Sequence, residues 1–332
     1  MSAAFARHIG KLLGALVESK VSIDAQAIRR YRDDDALAFA SHVLGDPEVW
    51  SPSLIEYRLT SDFQADWKQE VGCWLLAAQE YGFLGRLQNR LGRARGEAAH
   101  PEVTGPNDSA HRILAQELAG AMVTYYLTSL GWRFVSWEPP TVGGDVDVRL
   151  LSPTGVAADV QVKAPDQPGH VANGQRVDGE NDARVLRAID KGMSQLSSAP
   201  GPIRLVVISP QRTFSIDADV LALHLLGKPR SLGESLWGII RDGTGAYEGK
   251  AGAVVSAVVD LSLLRGMGKT LYRCTAICNP WVAPAGLVAP EVFPHARVLS
   301  LDGGKFVWLP EDPDRCFHFA SGMPYLEGTG GV

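Results

Sequence analysis

Residues 143–165, GGDVDVRLLSPTGVAADVQVKAP, constrain the fold more than any other stretch of the chain. Two short runs alternate apolar and polar residues, which is the period of a β-strand. Between them lies Pro153-Thr154-Gly155, and glycine at the last loop position suits the left-handed residue of a three-residue hairpin. That loop predicts a register pairing Ser152 with Val156, Arg149 with Asp159, and Asp147 with Gln161. Val146, Val148 and Leu150 then share one face of the first strand. The opposite faces bring together Asp145, Asp147, Asp159, Gln161 and Lys163.

Such a cluster has a chemical use. A divalent ion such as Mg²⁺ takes hard oxygen ligands and keeps several waters. A carboxylate, an amide or backbone oxygen and a substrate phosphate can share it. A lysine two residues along the same strand face can hold an attacking water and stabilise charge on the phosphate. Together these are the parts of metal-assisted phosphodiester hydrolysis. The same alternation equally describes an antiparallel sheet with one wet face, so the pattern leaves both readings open.

The flanking chain supplies the rest of a domain. Three-to-four spacing of apolar residues predicts a helix over about 110–129, ended by Gly131. WRFVSWE reads as a strand, a second helix covers about 181–197, and IRLVVIS is another strand. This α-β-β-β-α-β order predicts an α/β domain with a mixed central sheet flanked by helices. Residues 1–100 read as an all-helical region for recognition, dimerisation or partner docking. GEAAHPEVTGPNDS links it to the α/β part, residues 108–332. Three strand-like runs in the last third, GAVVSAVVDLSLL, TLYRCTAICNP and GKFVWLP, extend or flank the central sheet.

GGDVDV followed by DVQVK resembles the core of the PD-(D/E)XK nuclease superfamily, and its Gln-x-Lys form is closest to the Mrr-type restriction endonucleases. The resemblance covers about residues 108–210. It implies a restriction-endonuclease-like fold and an Mg²⁺- or Mn²⁺-dependent endonuclease that hydrolyses DNA, with a role in defence against foreign DNA. Residue by residue, Asp147 matches the metal-binding Asp, with Asp145 as the alternative. Gln161 and Lys163 match the third motif, and Glu117 matches the helix acid. The implied metal ligands are Asp147, Gln161, the Val162 carbonyl and Glu117, with Lys163 orienting the water. Two departures stand out. Gln161 occupies a position where an acid is usual, which removes a negative charge from the site. Val146 stands where the superfamily's name has proline. A second reading follows from Gln161: a degenerate nuclease fold used as a nucleic-acid-binding or regulatory subunit.

Glu117 sits beside Leu118, close to the apolar face of its helix, where a metal-side role and a boundary salt bridge are both open. Arg184, Arg187, Lys191 and Gln195 fall on one face of the 181–197 helix, suited to phosphates or simply to solvent. His170 and Arg176 lie in the polar loop after Lys163. Arg86, Arg90, Arg93 and Arg95 form a basic run that reads as a nucleic-acid surface or as an exposed helix end.

The net charge of −5 gives no overall basic footprint, so nucleic acid would have to meet a local patch. DNA and RNA are not distinguished, because that choice rests on groove shape and 2′-hydroxyl contacts. A homodimer or a partner protein is compatible with the helical region. No apolar run approaches the ~18 residues of a membrane helix, and a cytoplasmic protein is expected. Four scattered cysteines, Cys73, Cys274, Cys278 and Cys316, do not make a disulfide framework. RGMGKT at 265–270 ends like a phosphate-binding loop but lies between two strand-like runs, as a hairpin turn would.

Overall fold

The computed structural model describes residues 39–40, 42–43, 63–99, 108–140, 145–165, 178–209, 216–227, 229–231, 237–239, 244–266, 269–289, 292–293, 296–302, 305–309, 315–318 and 323–326. Helices α1 (Phe63–Glu80), α2 (Leu84–Ala99) and α3 (Asp108–Ser129) come first. Strands β1 (Arg133–Trp137), β2 (Val148–Leu151) and β3 (Ala157–Lys163) follow. Helix α4 (Asp178–Leu196), strand β4 (Ile203–Ile208) and helix α5 (Ala218–Leu226) complete the middle of the chain. A short antiparallel pair, β5 (Pro229–Ser231) with β6 (Trp237–Ile239), stands apart. Then come β7 (Ala257–Gly266), β8 (Lys269–Cys278), β9 (Arg297–Asp302), β10 (Lys305–Leu309), β11 (Arg315–His318) and β12 (Met323–Leu326).

The main sheet is mixed, with the order β1-β2-β3-β4-β7-β8-β11-β12, while β9 joins β8 and carries β10. Strands β3, β4 and β7 run parallel, and β1–β2–β3 is an antiparallel meander. The α/β class and mixed sheet flanked by helices are as the sequence predicts. From Arg149 to the loop the hairpin register is as predicted: Arg149 faces Asp159, Ser152 N donates to Val156 O at 2.8 Å, and Gly155 has φ +82°; the expected Asp147–Gln161 pair is not part of the ladder, and Asp147 N donates to Val160 O instead. The 265–270 segment is the tip of a hairpin, β7 and β8 pairing out to Gly266 opposite Lys269.

Both faces of the sheet are covered. On one, Val148, Leu150, Ala158, Val160, Val162, Leu205, Val207, Val259 and Leu261 meet α1, α2 and α3 in one continuous apolar core. Helix α3 comes so close that a Cβ on Gly120 would lie 2.4 Å from the Trp137 ring. Trp137 stacks in turn on Phe83, with ring centroids 4.3 Å apart. On the other face, α4 sets Val185, Ile189, Met193 and Leu196 against Val206, Ile208 and Val258. Helix α1 is fixed to the sheet by a buried polar trio: Trp74 Nε1 donates to the Tyr272 hydroxyl at 2.7 Å, and that hydroxyl donates to Glu70 Oε2 at 2.7 Å.

A second expectation fails here. Val146 does not share a face with Val148 and Leu150; it joins the core under α4. Regular pairing of β2 begins at Val148, so the alternation that orders the strand does not extend back through Asp147.

Candidate active site

The site forms where β2 stops and β3 continues. Asp147 N still donates to Val160 O at 3.0 Å, but among the described residues no strand pairs with Val162 on that edge. Side chains take over the open backbone groups, as buried peptide groups require. Asp147 Oδ2 accepts from Val162 N and from Gln161 Nε2, each at 2.7 Å. From α3, Gln116 Nε2 donates to Val162 O at 3.0 Å, while its Oε1 accepts from Ala164 N at 3.2 Å. The edge around Lys163 is thereby fixed by one carboxylate and one carboxamide.

Glu117, next to Gln116, is 6% exposed. Its Oε1 accepts from Arg90 Nη1 of α2 at 3.1 Å. Arg90 also pairs through Nη2 with Glu138, just beyond β1, and Arg86 stands 3.9 Å from the same carboxylate. Glu138 has φ +43°, in the left-handed region that costs a non-glycine residue free energy, and its N–H donates to Asp147 O at 2.7 Å.

These charges act on one another. Burial raises the Glu117 carboxyl above the usual range; Arg90 opposes this, while Glu138 and Asp147 add to it. Burial also raises Asp147, against the Val162 N–H and the Lys163 ammonium, with Glu138 raising it further. For Lys163, burial lowers the ammonium pKa; Asp147 works against that, Lys191 lowers it further, and Asp145 raises it.

Asp147, Gln161, Lys163 and Glu117 are therefore brought together. Of the other expected members, Asp145 stays within electrostatic reach of Lys163, and Asp159 does not join the group. Asp159 is fully buried, accepting from Arg149 Nε at 2.6 Å and from Gly201 N at 2.7 Å. It is a structural clamp on the turn before β4, because α4 covers the face that would otherwise be wet. Asp145 turns to α4, accepting from Gln195 Nε2 at 2.9 Å. Lys191 is exposed on α4 near Lys163; Arg184 and Arg187 are exposed on the same helix. His170 and Arg176 lie outside the described residues. Of the basic run on α2, Arg90 is held by two acids and Arg86 and Arg93 are exposed.

The donor set can be tested against a divalent ion. Two buried oxygens in this group, Glu117 Oε2 and Gln161 Oε1, have no hydrogen-bond partner. Buried acceptors are normally satisfied, so each of these two oxygens has capacity for a further partner, which a cation could supply. The Val162 carbonyl already carries the Gln116 bond, leaving one lone pair. Among the described residues, no three His, Cys, Asp and Glu side chains gather to hold a metal. A cation here would therefore depend on the neutral Gln161 amide as well as on carboxylates.

Sequence reading missed Gln116 and Glu138, and it placed Arg90 in a basic run on the surface, not at this site. The signal available for Gln116 was its place beside Glu117; for Glu138, its place at the end of a strand leading into the site.

No helix among the described residues is long and apolar enough to cross a membrane. Neither protein-family models nor curated proteins match the chain. Among solved structures, a match is found to Pyrococcus furiosus SfsA, solved in complex with Ca²⁺. It has 16% identity and a TM-score of 0.23, and covers 48% of this chain and 61% of that one.

Proposed function

We propose that the chain is a metal-dependent nuclease that hydrolyses phosphodiester bonds in DNA. The observation that carries this reading is the junction of β2, β3 and α3. There Asp147, Gln161, Lys163 and Glu117 converge, and Gln161 Oε1 and Glu117 Oε2 are buried without partners. Asp147, Gln161 and Glu117 would hold the ion, with the remaining lone pair of Val162 O available to it. Mg²⁺ or Mn²⁺ would supply Lewis-acid polarisation of the scissile phosphate. Lys163, its ammonium partly desolvated and next to Asp147, positions a water and offsets charge on the phosphate. Lys191, Arg184 and Arg187, exposed on α4, suit phosphate contacts that position a duplex without reading its sequence. The defence role rests on the resemblance to Mrr-type enzymes.

A second reading is a degenerate site that binds nucleic acid without cutting. Glu117 already has a cationic partner in Arg90, and Gln161 adds no charge to the ligand set. Salt-dependent DNA binding without turnover is its signature.

Plasmid and linear DNA incubated with Mg²⁺ or Mn²⁺, and with EDTA, separate the two readings. Metal-dependent cutting that is lost in Asp147→Ala and Lys163→Ala supports the nuclease. Folded wild-type protein that never cuts, or cutting unchanged by Lys163→Ala, overturns the assignment.

A further inference from the structure

We propose that Arg90 is a resident cation of the site, bridging Glu117 and Glu138 and competing with a divalent ion for Glu117. The inference rests on the metal-binding reading above and adds a control to it: helix α2 sets the threshold at which the site loads.

Four observations meet here. The Arg90 guanidinium reaches two acids from different elements, Glu117 of α3 and Glu138 after β1. Those acids and Asp147 share one electrostatic neighbourhood, since Glu138 and Asp147 both act on Glu117. Three carboxylates this close repel one another unless a positive charge stands between them. Glu117 is only half used: Oε1 is on Arg90, while Oε2 is buried with no hydrogen-bond partner. Finally, Glu138 keeps an acidic side chain at a backbone conformation that glycine adopts more easily, and its N–H is tied to the Asp147 carbonyl. The strain is explained if the side chain is needed to hold the guanidinium.

A divalent ion shared by Asp147, Gln161 and Glu117 would then face a guanidinium across a single carboxylate. The two cations repel, so loading weakens the Arg90–Glu117 pair and Arg90 weakens loading. The Arg90 side chain is 42% exposed, so it can leave for solvent while Glu138 retains one end. Arg90 is a positioning residue in this account and touches no substrate.

The direction of the effect separates this role from a merely structural one. Damage to the site loosens metal binding, whereas removal of a competing cation tightens it. The test is Mn²⁺ affinity of the full chain by calorimetry, with thermal melts to show that each variant folds. Arg90→Gln is expected to bind Mn²⁺ about tenfold more tightly than wild type. Arg90→Lys, which keeps the charge, should stay near wild type. In a Glu117→Gln background the gain from Arg90→Gln should vanish, because the contested carboxylate is gone. Wild-type protein that binds Mn²⁺ while folded Arg90→Gln binds it equally or more weakly overturns the inference and leaves the metal reading standing. Folded wild type and Arg90→Gln that both bind no Mn²⁺ overturn the metal reading, and this inference with it.

Discussion

Gln116 stands beside Val162 as a substitute for a missing strand. Its carboxamide donates to the Val162 carbonyl and accepts from the Ala164 N–H, the two bonds a neighbouring peptide would make. Gln116→Ala leaves both groups without partners in a partly buried place. The expected cost is about 1–3 kcal/mol in a denaturant titration, with faster hydrogen exchange at the Ala164 amide. Gln116→Glu can still accept from Ala164 but sets an acceptor against Val162 O, so it should restore the Ala164 protection and not the full stability. Unchanged exchange at Ala164 in Gln116→Ala would contradict this account.

Lys163 is held in its place against a desolvation cost, since burial lowers its ammonium pKa. The sign follows from linkage. The folded state binds its proton less readily than the unfolded chain, so stability from this group rises as pH climbs through the folded pKa towards the ordinary lysine value. Lys163→Met removes the desolvated charge. It is expected to melt no lower than wild type at neutral pH and, on the proposed nuclease reading, to cut DNA at least about 100-fold more slowly. A large drop in melting temperature would assign Lys163 a structural role instead.

At Gly120, α3 lies close over the Trp137 ring. Gly120→Ala ordinarily strengthens a helix, but here the new methyl group overlaps the indole. A net loss of about 1–3 kcal/mol is expected from overpacking. Near-ultraviolet circular dichroism should report the displaced tryptophan. A stabilised Gly120→Ala would show that α3 stands further off than described.

Asp260 lies fully buried on β7, where burial pushes its carboxyl up to about 7 despite the Ser262 hydroxyl and the positive charge of Arg273. Its unfolded value is about 3.9. The folded state therefore holds its proton more tightly, and stability is lost as pH rises from the unfolded to the folded value. Asp260→Asn abolishes that slope. Relative to wild type it should gain stability between pH 5 and pH 8, by about 3 kcal/mol, since about two of those pH units lie below the folded value of about 7 and each carries about 1.4 kcal/mol. Urea titrations of both proteins at the two pH values give the comparison, and a constant difference would show that Asp260 does not titrate in this range.

The hairpin could be read from sequence because its determinants are local. Alternation sets the faces of β2 and β3, and Gly155 sets the loop and hence the register. Glu117 and Lys163 could be placed by element order. Arg90 could not: it lies 27 residues from Glu117 and meets it only through the docking of α2 on α3. Gln116 is 46 residues from Val162, and nothing in a glutamine's neighbours announces that it will complete a sheet edge. The left-handed backbone at Glu138 carries no sequence signal, since a carboxylate residue there looks like an ordinary strand end. Asp159 misled for a physical reason. Alternation places it correctly on its face, but only α4, which arrives later in the chain, decides that the face is dry.

The trio of Trp74, Tyr272 and Glu70 has a bearing on how the molecule is made. Tyr272 lies 198 residues after Trp74 and 202 after Glu70. Synthesis runs from the N-terminus, so α1 leaves the ribosome with its indole and carboxylate awaiting a hydroxyl that is not yet translated. The helical layer cannot lock until β8 emerges. Until then the part of α1 that meets β8 is left uncovered, which is the circumstance in which chaperones engage growing chains.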